Sequence, residues 1–198
     1  MKKMGPDASG DELYWDPIAS VEAMFPFDEN RLRPTPEHVF LGNWEDRNWR
    51  NVPGPFYGAM TDSCWVGRIY APRHFLYGDD NDGDSEFLYR QPRDSDDLTA
   101  VLRGMQADPF SGWARDGDVH WTPALVREWW GNRNRLLEWI AEKQRHWIYG
   151  DEAEREAVSG LLDYRAYIDA DLANDLRLYL YFLDNGNGPL PGVRLPDV

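Results

Sequence analysis

Thr122-Pro123-Ala124-Leu125-Val126-Arg127-Glu128-Trp129-Trp130-Gly131-Asn132 opens the longest helical pattern in the chain, which runs on to His146-Trp147-Ile148-Tyr149-Gly150. Thr122 serves as an N-cap and Pro123 suits the first helical position, where its missing N–H costs nothing. Val126, Trp129, Trp130, Leu137, Ile140 and Trp147 recur near the 3.6-residue period, so one face is apolar. Gly131-Asn132 is the point at which this helix bends or breaks. Gly150 suits the position just past its end, and Asp151 caps the helix that follows.

Two further helices are expected C-terminal to this one. One covers 152–168. The other covers 171–183, with Leu172, Leu176, Tyr179, Leu180 and Leu183 on one side and Asn185-Gly186 ending it. The segment from Gly188 to Val198 is rich in proline and glycine and reads as a tail lying over the surface or fraying. On the N-terminal side, 96–107 forms a helix with Ser95 as cap and Leu98, Val101, Leu102 and Met105 on one face.

Strands are expected between Val39 and Tyr89. Phe75–Tyr77 and Glu86–Tyr89 flank Gly78-Asp79-Asp80-Asn81-Asp82-Gly83-Asp84-Ser85, which reads as the acidic tip of a hairpin. Cys64–Tyr70 alternates as a strand bounded by Pro72, Val39–Leu41 is a short strand candidate, and the Pro- and Gly-punctuated stretch Asn51–Gly58 is a loop. Before His38, Pro6, Pro17, Pro26, Pro34 and Pro36 leave room only for a short helix at 17–24, capped by Asp16. The resulting fold class is α+β: a small, mostly antiparallel sheet with C-terminal helices packed against it. The 198 residues form one domain, with an irregular segment to residue 50, a strand-rich part at 39–89, a helical part at 95–185 and a tail at 186–198.

Charge narrows the function more than any motif does. The chain carries 35 acidic and 21 basic side chains, a net charge of −14, together with ten tryptophans. Such a field attracts cationic partners and disfavours nucleic acid. The excess is uneven: residues 121–150 sum to +2 while every flanking segment is negative. Without an apolar run of about 18 residues no membrane span is expected. The basic N-terminus lacks a following apolar stretch, so no signal peptide is expected and the cytoplasm is the simplest compartment. A single cysteine, Cys64, rules out an internal disulfide or a four-cysteine metal site.

The acidic tip is the obvious metal candidate. Setting Gly83 as the sixth residue of an EF-hand loop puts Gly78 first and Tyr89 twelfth, where calcium needs carboxylates. A solvated tip is the better reading, and no metal or cofactor is expected. Cys64 with His74 or His120 and nearby aspartates would make a nucleophilic or metal site. However, no helix N-terminus precedes the thiol, and its neighbours favour buried packing. Asp116-Gly117-Asp118-Val119-His120 offers two carboxylates and an imidazole, and reads first as a turn and helix cap. Zincin, P-loop, nucleophile-elbow and dinucleotide patterns are absent, so no catalytic residue is assigned.

The blocks Asn51-Val52-Pro53-Gly54-Pro55-Phe56-Tyr57-Gly58, Cys64-Trp65 and Ala71-Pro72-Arg73-His74, with His120-Trp121-Thr122-Pro123 and Glu128-Trp129-Trp130, resemble segments of uncharacterised small acidic bacterial proteins, particularly actinobacterial ones. In overall character the chain is similar to immunity proteins of polymorphic and contact-dependent toxin systems. That likeness implies a cytosolic protein that occludes a toxin domain. The expected partner is a protein with a basic surface, met by Asp79, Asp80, Asp82, Asp84, Glu86, Asp116 and Asp118. The alternative is a small enzyme or metal protein built on Cys64, His74 and His120.

Overall fold

The computed structural model describes residues 12–26, 35–78 and 85–198. In chain order the elements are α1 (Val21–Met24), β1 (Tyr57–Gly58), α2 (Gly67–Tyr70), β2 (Phe75–Tyr77), β3 (Glu86–Leu88), α3 (Ser95–Ala107), β4 (Trp113–Ala114), α4 (Gly117–His120), α5 (Pro123–Gly131), α6 (Arg133–Trp147), α7 (Glu152–Asp169) and α8 (Leu172–Asn185). The fold is α+β, with short antiparallel strands and helices at the C-terminus. No helix among the described residues is long and apolar enough to cross a membrane.

The β2–β3 hairpin is the centre of the molecule, with Phe75 opposite Leu88, Leu76 opposite Phe87 and Tyr77 opposite Glu86. Successive strand residues face opposite ways, and here both faces are covered. Phe75 and Leu88 pack with Leu98, Val101, Leu102 and Met105 of α3 and with Trp113. Leu76 and Phe87 join Trp139, Ile140, Trp147, Leu161, Tyr164 and Leu180 of the C-terminal helices. The hairpin is therefore the middle of three layers, which explains why its strand residues other than Glu86 are aromatic or aliphatic.

A second, two-residue ladder pairs β1 with β4, Tyr57 opposite Ala114 and Gly58 opposite Trp113. The two sheets do not share a regular ladder. They are joined by individual bonds: Val52 N to Leu88 O at 2.9 Å, Glu86 N to Asp62 O at 3.2 Å and Thr61 Oγ1 to Glu86 O at 2.8 Å. Asn51 ties Gly58 of β1 to Leu88 of β3 through its side-chain amide, which makes four bonds. Its Nδ2 donates to Asn48 O (2.6 Å) and Gly58 O (2.7 Å), and its Oδ1 accepts from Gly58 N and Leu88 N, both at 2.9 Å. A polar residue takes this role because Pro53 and Pro55 deprive the adjoining backbone of donors.

The long Trp-rich pattern is two helices. Asn132 leaves helical geometry (φ −88°, ψ 6°), ending α5 and starting α6. Trp139 and Trp147 enter the core, while Trp129 and Trp130 are partly buried at its edge. Asp151 and Glu154 form a reciprocal capping box on α7, and Gly186 closes α8 in the left-handed conformation at φ 72°. The tail lies across the surface, where Arg127 donates to Asp197 O and Arg177 to Pro196 O. A Cβ on Gly131 would meet no atom within 4 Å. Gly131→Ala should therefore stabilise the protein by about 0.5–1 kcal/mol in urea denaturation, through helix propensity alone. A loss of stability would show that the α5–α6 break needs glycine.

Several expectations fail. Cys64–Tyr70 is not a strand: Trp65 sits at φ 61° and Gly67–Tyr70 is a helical turn. Tertiary packing overrides the local alternation, since the Trp65 ring stacks on Tyr77 at 4.2 Å and leans on Trp147. Val39–Leu41 contributes one bridge, Phe40 to Gly112. Asp94 rather than Ser95 caps α3, accepting from Asp96 N and Asp97 N. Asp16 does bond the N–H of Ile18 at the short helix of the N-terminal segment.

Candidate functional site

Among the carboxylates expected to meet a partner, the described ones, Glu86, Asp116 and Asp118, do not form one face. Asp79, Asp80, Asp82 and Asp84 lie outside the described residues. Their stems are well fixed: Gly78 N donates to Ser85 O at 3.0 Å, and Asn48 Nδ2 to Gly78 O at 2.6 Å. Glu86 is a correction. It is fully buried, because the pleat turns it to the same face as Leu88, where its Oε1 accepts from Gly67 N at 2.6 Å.

Asp116 and Asp118 diverge as well. Asp116 accepts from Tyr57 Oη at 2.8 Å and lies 3.1 Å from His120 Nε2, and the His120 ring stacks on Trp44 at 4.8 Å. Asp118 accepts from Tyr179 Oη at 2.7 Å. Burial, with Asp16 nearby, pushes the Asp118 carboxyl up to about 6 despite that hydrogen bond.

The alternative constellation is not assembled either. Cys64 is exposed, not buried as its neighbours led one to expect, and the charge of Asp62 raises its thiol pKa, making it a poorer nucleophile. His74 is held elsewhere, Nδ1 at 2.9 Å from Arg90 O and Nε2 at 3.3 Å from Asp97. What surrounds Asp62 instead is a buried carboxyl cluster with Glu86 and Asp108. Asp108 anchors a turn, accepting from Asp62 N (3.2 Å), Phe110 N (2.9 Å) and Gly112 N (2.7 Å). Burial and the neighbouring carboxylates raise Glu86, and burial with Asp108 raises Asp62. Among the described residues no group of three or more His, Cys, Asp or Glu side chains is arranged to hold a metal ion.

That turn carries large apolar side chains into solvent. Met60 and Phe110 are 70% and 68% exposed, and Leu41 on the adjoining segment is 67% exposed. The backbone beneath them is tightly constrained. Leu41 N donates to Ser111 O, Ala59 N to Gly112 O and Ser111 Oγ to His38 O. A Cβ at Gly112 would come within 2.1 Å of Met60 O, so only glycine permits the approach. Met60 and Phe110 border a hollow of about 390 Å³ that also reaches Arg47, Trp49 and Ser85. Ser85 is the residue to which the aspartate-rich connection returns. The apolar pair and the stems of the acidic connection thus share one face.

No family model, curated protein or solved structure matches the chain. Its functional reading rests on its own residues. Met60 and Phe110 were not singled out by sequence reasoning, although a signal existed. Phe110 stands in Asp108-Pro109-Phe110-Ser111-Gly112, a turn composition in which a large apolar side chain has no core to enter.

Proposed function

We propose that the protein is a binding protein that neutralises a basic protein partner, of the toxin-domain kind, by covering its working surface within the producing cell. The observation that carries this reading is the pair Met60 and Phe110, exposed on a rigid, hydrogen-bonded turn beside the stems of a connection carrying four aspartates. Apolar anchors on a preorganised backbone lose little entropy on docking and supply desolvated contacts. The aspartates at 79, 80, 82 and 84 accelerate encounter with a cationic surface and take the place of its anionic substrate. Glu86 has no direct part, because it is buried, while Asp116, exposed beside His120, stays available to a cationic partner.

The test is co-purification and binding kinetics with the protein encoded beside it. Met60→Asp with Phe110→Asp should weaken affinity by about tenfold or more, mainly through faster dissociation. Neutralising the four aspartates should slow association at low salt and have little effect at high salt. Unchanged affinity in the first variant together with a salt-independent on-rate would sink the proposal.

A further inference from the structure

Across the Arg47–Trp49 segment from this face lies a second cleft, of about 320 Å³, closed on the other side by the junction of α5 and α6. Its construction is specific. Trp129 Nε1 donates to Trp49 O at 2.9 Å, tying α5 to the segment. The same cleft is lined by three indoles, Trp49, Trp121 and Trp129.

Its charge is the reverse of the molecule's. Arg47, Arg133 and Arg135 line it, and among the described residues lining it Glu128 alone is acidic. In a chain with 35 carboxylates, arginines are readily paired, as Arg68 is with Glu156, Arg90 with Asp163 and Arg115 with Glu22. Arg47 and Arg133 are not paired with a carboxylate among the described residues. Arg47 donates to Trp44 O at 3.1 Å with its guanidinium 3.9 Å over the Trp44 ring. Arg133 donates to Trp130 O at 3.0 Å and lies 4.4 Å over the Trp130 ring. Each guanidinium has five N–H donors, so most remain for a ligand. Burial lowers the pKa of Arg47, and the charge of Glu45 offsets only part of that.

We propose that this cleft binds a small aromatic anion, its acid group engaged by Arg47 and Arg133 and its ring lying against the indole of Trp129, since the Trp49 ring is already covered by Arg135 at 3.9 Å and Arg50 at 4.4 Å. The volume suits a single ring with its acid group, at the small end of ligand pockets. Guanidinium groups accept carboxylate and phosphate alike, so the shared chemistry is an anionic head on a flat apolar body. The overall negative field works against such a ligand, and selectivity therefore rests on direct contacts within the cleft.

The probes are benzoate and phenyl phosphate, with benzyl alcohol and inorganic phosphate as partial mimics, titrated into the purified protein by calorimetry and ligand-observed NMR. At least one aromatic anion should bind with a dissociation constant below about 1 mM, and both partial mimics about tenfold more weakly. Arg133→Gln and Arg47→Gln should each weaken it about tenfold. Glu128→Gln, which removes the cleft's acidic group, should tighten it a few-fold, and this guards against variants that merely perturb folding. Binding of neither aromatic anion at about 10 mM overturns the proposal, as does equal binding of benzyl alcohol or inorganic phosphate, or indifference to both Arg133→Gln and Glu128→Gln. None of these measurements requires a protein partner, so they stand or fall apart from the neutralisation reading.

Discussion

Asn51→Asp should destabilise the protein by about 3–5 kcal/mol at neutral pH, the cost typical of leaving a buried charge or several buried polar groups uncompensated. The substitution hardly changes shape. It changes only which way the hydrogen bonds run. Asn51 is 2% exposed, and its Nδ2 donates to two carbonyl oxygens, those of Asn48 and Gly58, at 2.6 and 2.7 Å. A carboxylate would set an anionic oxygen against both. A protonated carboxyl could serve only one. The Oδ1 side, which accepts from Gly58 N and Leu88 N, is retained. Urea denaturation at pH 7 measures the loss, and part of it should be recovered near pH 4, where the new carboxyl takes up a proton. Because Asn51 links β1 to β3 where no ladder does, a neutral outcome would mean that the two sheets hold together without it. The platform under Met60 depends on the same junction, since Gly58, Ala59 and Met60 continue directly from it.

The helical half of the molecule was legible because its determinants are local. Thr122-Pro123, Gly150-Asp151 and Asn185-Gly186 mark the start of α5, the turn from α6 to α7 and the end of α8 wherever those segments pack, and Asp151 meets its Glu154 partner as the spacing implies. The strand half was only partly legible. The β2–β3 hairpin was readable from its aromatic runs, whereas β1 and β4 are two residues each and pair across more than fifty positions. Trp65 adopts a conformation that a non-glycine residue rarely takes, fixed by Tyr77 and Trp147, which no local pattern encodes. Glu86 was misread for a related reason. At the end of an acidic run it reads as part of the solvated tip, and only the register against Tyr77 shows that it points inward. The exposed pair Met60 and Phe110 and the Arg47–Arg133 cleft are made by segments distant in sequence, so neither forms a motif.

Acidification from pH 8 to about pH 5 should stabilise the protein, the opposite of ordinary acid denaturation over that range. Two buried carboxyls, Asp62 and Glu86, and the half-buried Asp118 have pKa values raised chiefly by desolvation. A raised folded-state pKa means that the native protein binds the proton more tightly than the unfolded chain does. Stability is then gained as pH falls through the folded value and is complete below the unfolded one. Asp118, held at about 6 against an ordinary 3.8, accounts for about 1–1.5 kcal/mol of this change by pH 5 and for more as pH falls on toward 4. Glu86 adds to the gain in the same direction, since burial, with Asp62 and Asp108 nearby, holds it well above the usual carboxylate range. Relief of the −14 net charge acts in the same direction. The trend reverses below about pH 4, where Asp97, lowered by its bond to His74, and Glu156, lowered by Arg68, must take up protons and lose those partners. The urea midpoint should therefore be highest at about pH 4–5. Asp118→Asn isolates one contributor: its amide oxygen still accepts from Tyr179, but it no longer carries a partly buried charge. The variant should be more stable than the wild type at pH 8 and show a shallower slope around pH 6. A midpoint that climbs steadily from pH 5 to pH 8, or an Asp118→Asn profile parallel to the wild type, would mean that these carboxyls stay solvated enough to ionise freely.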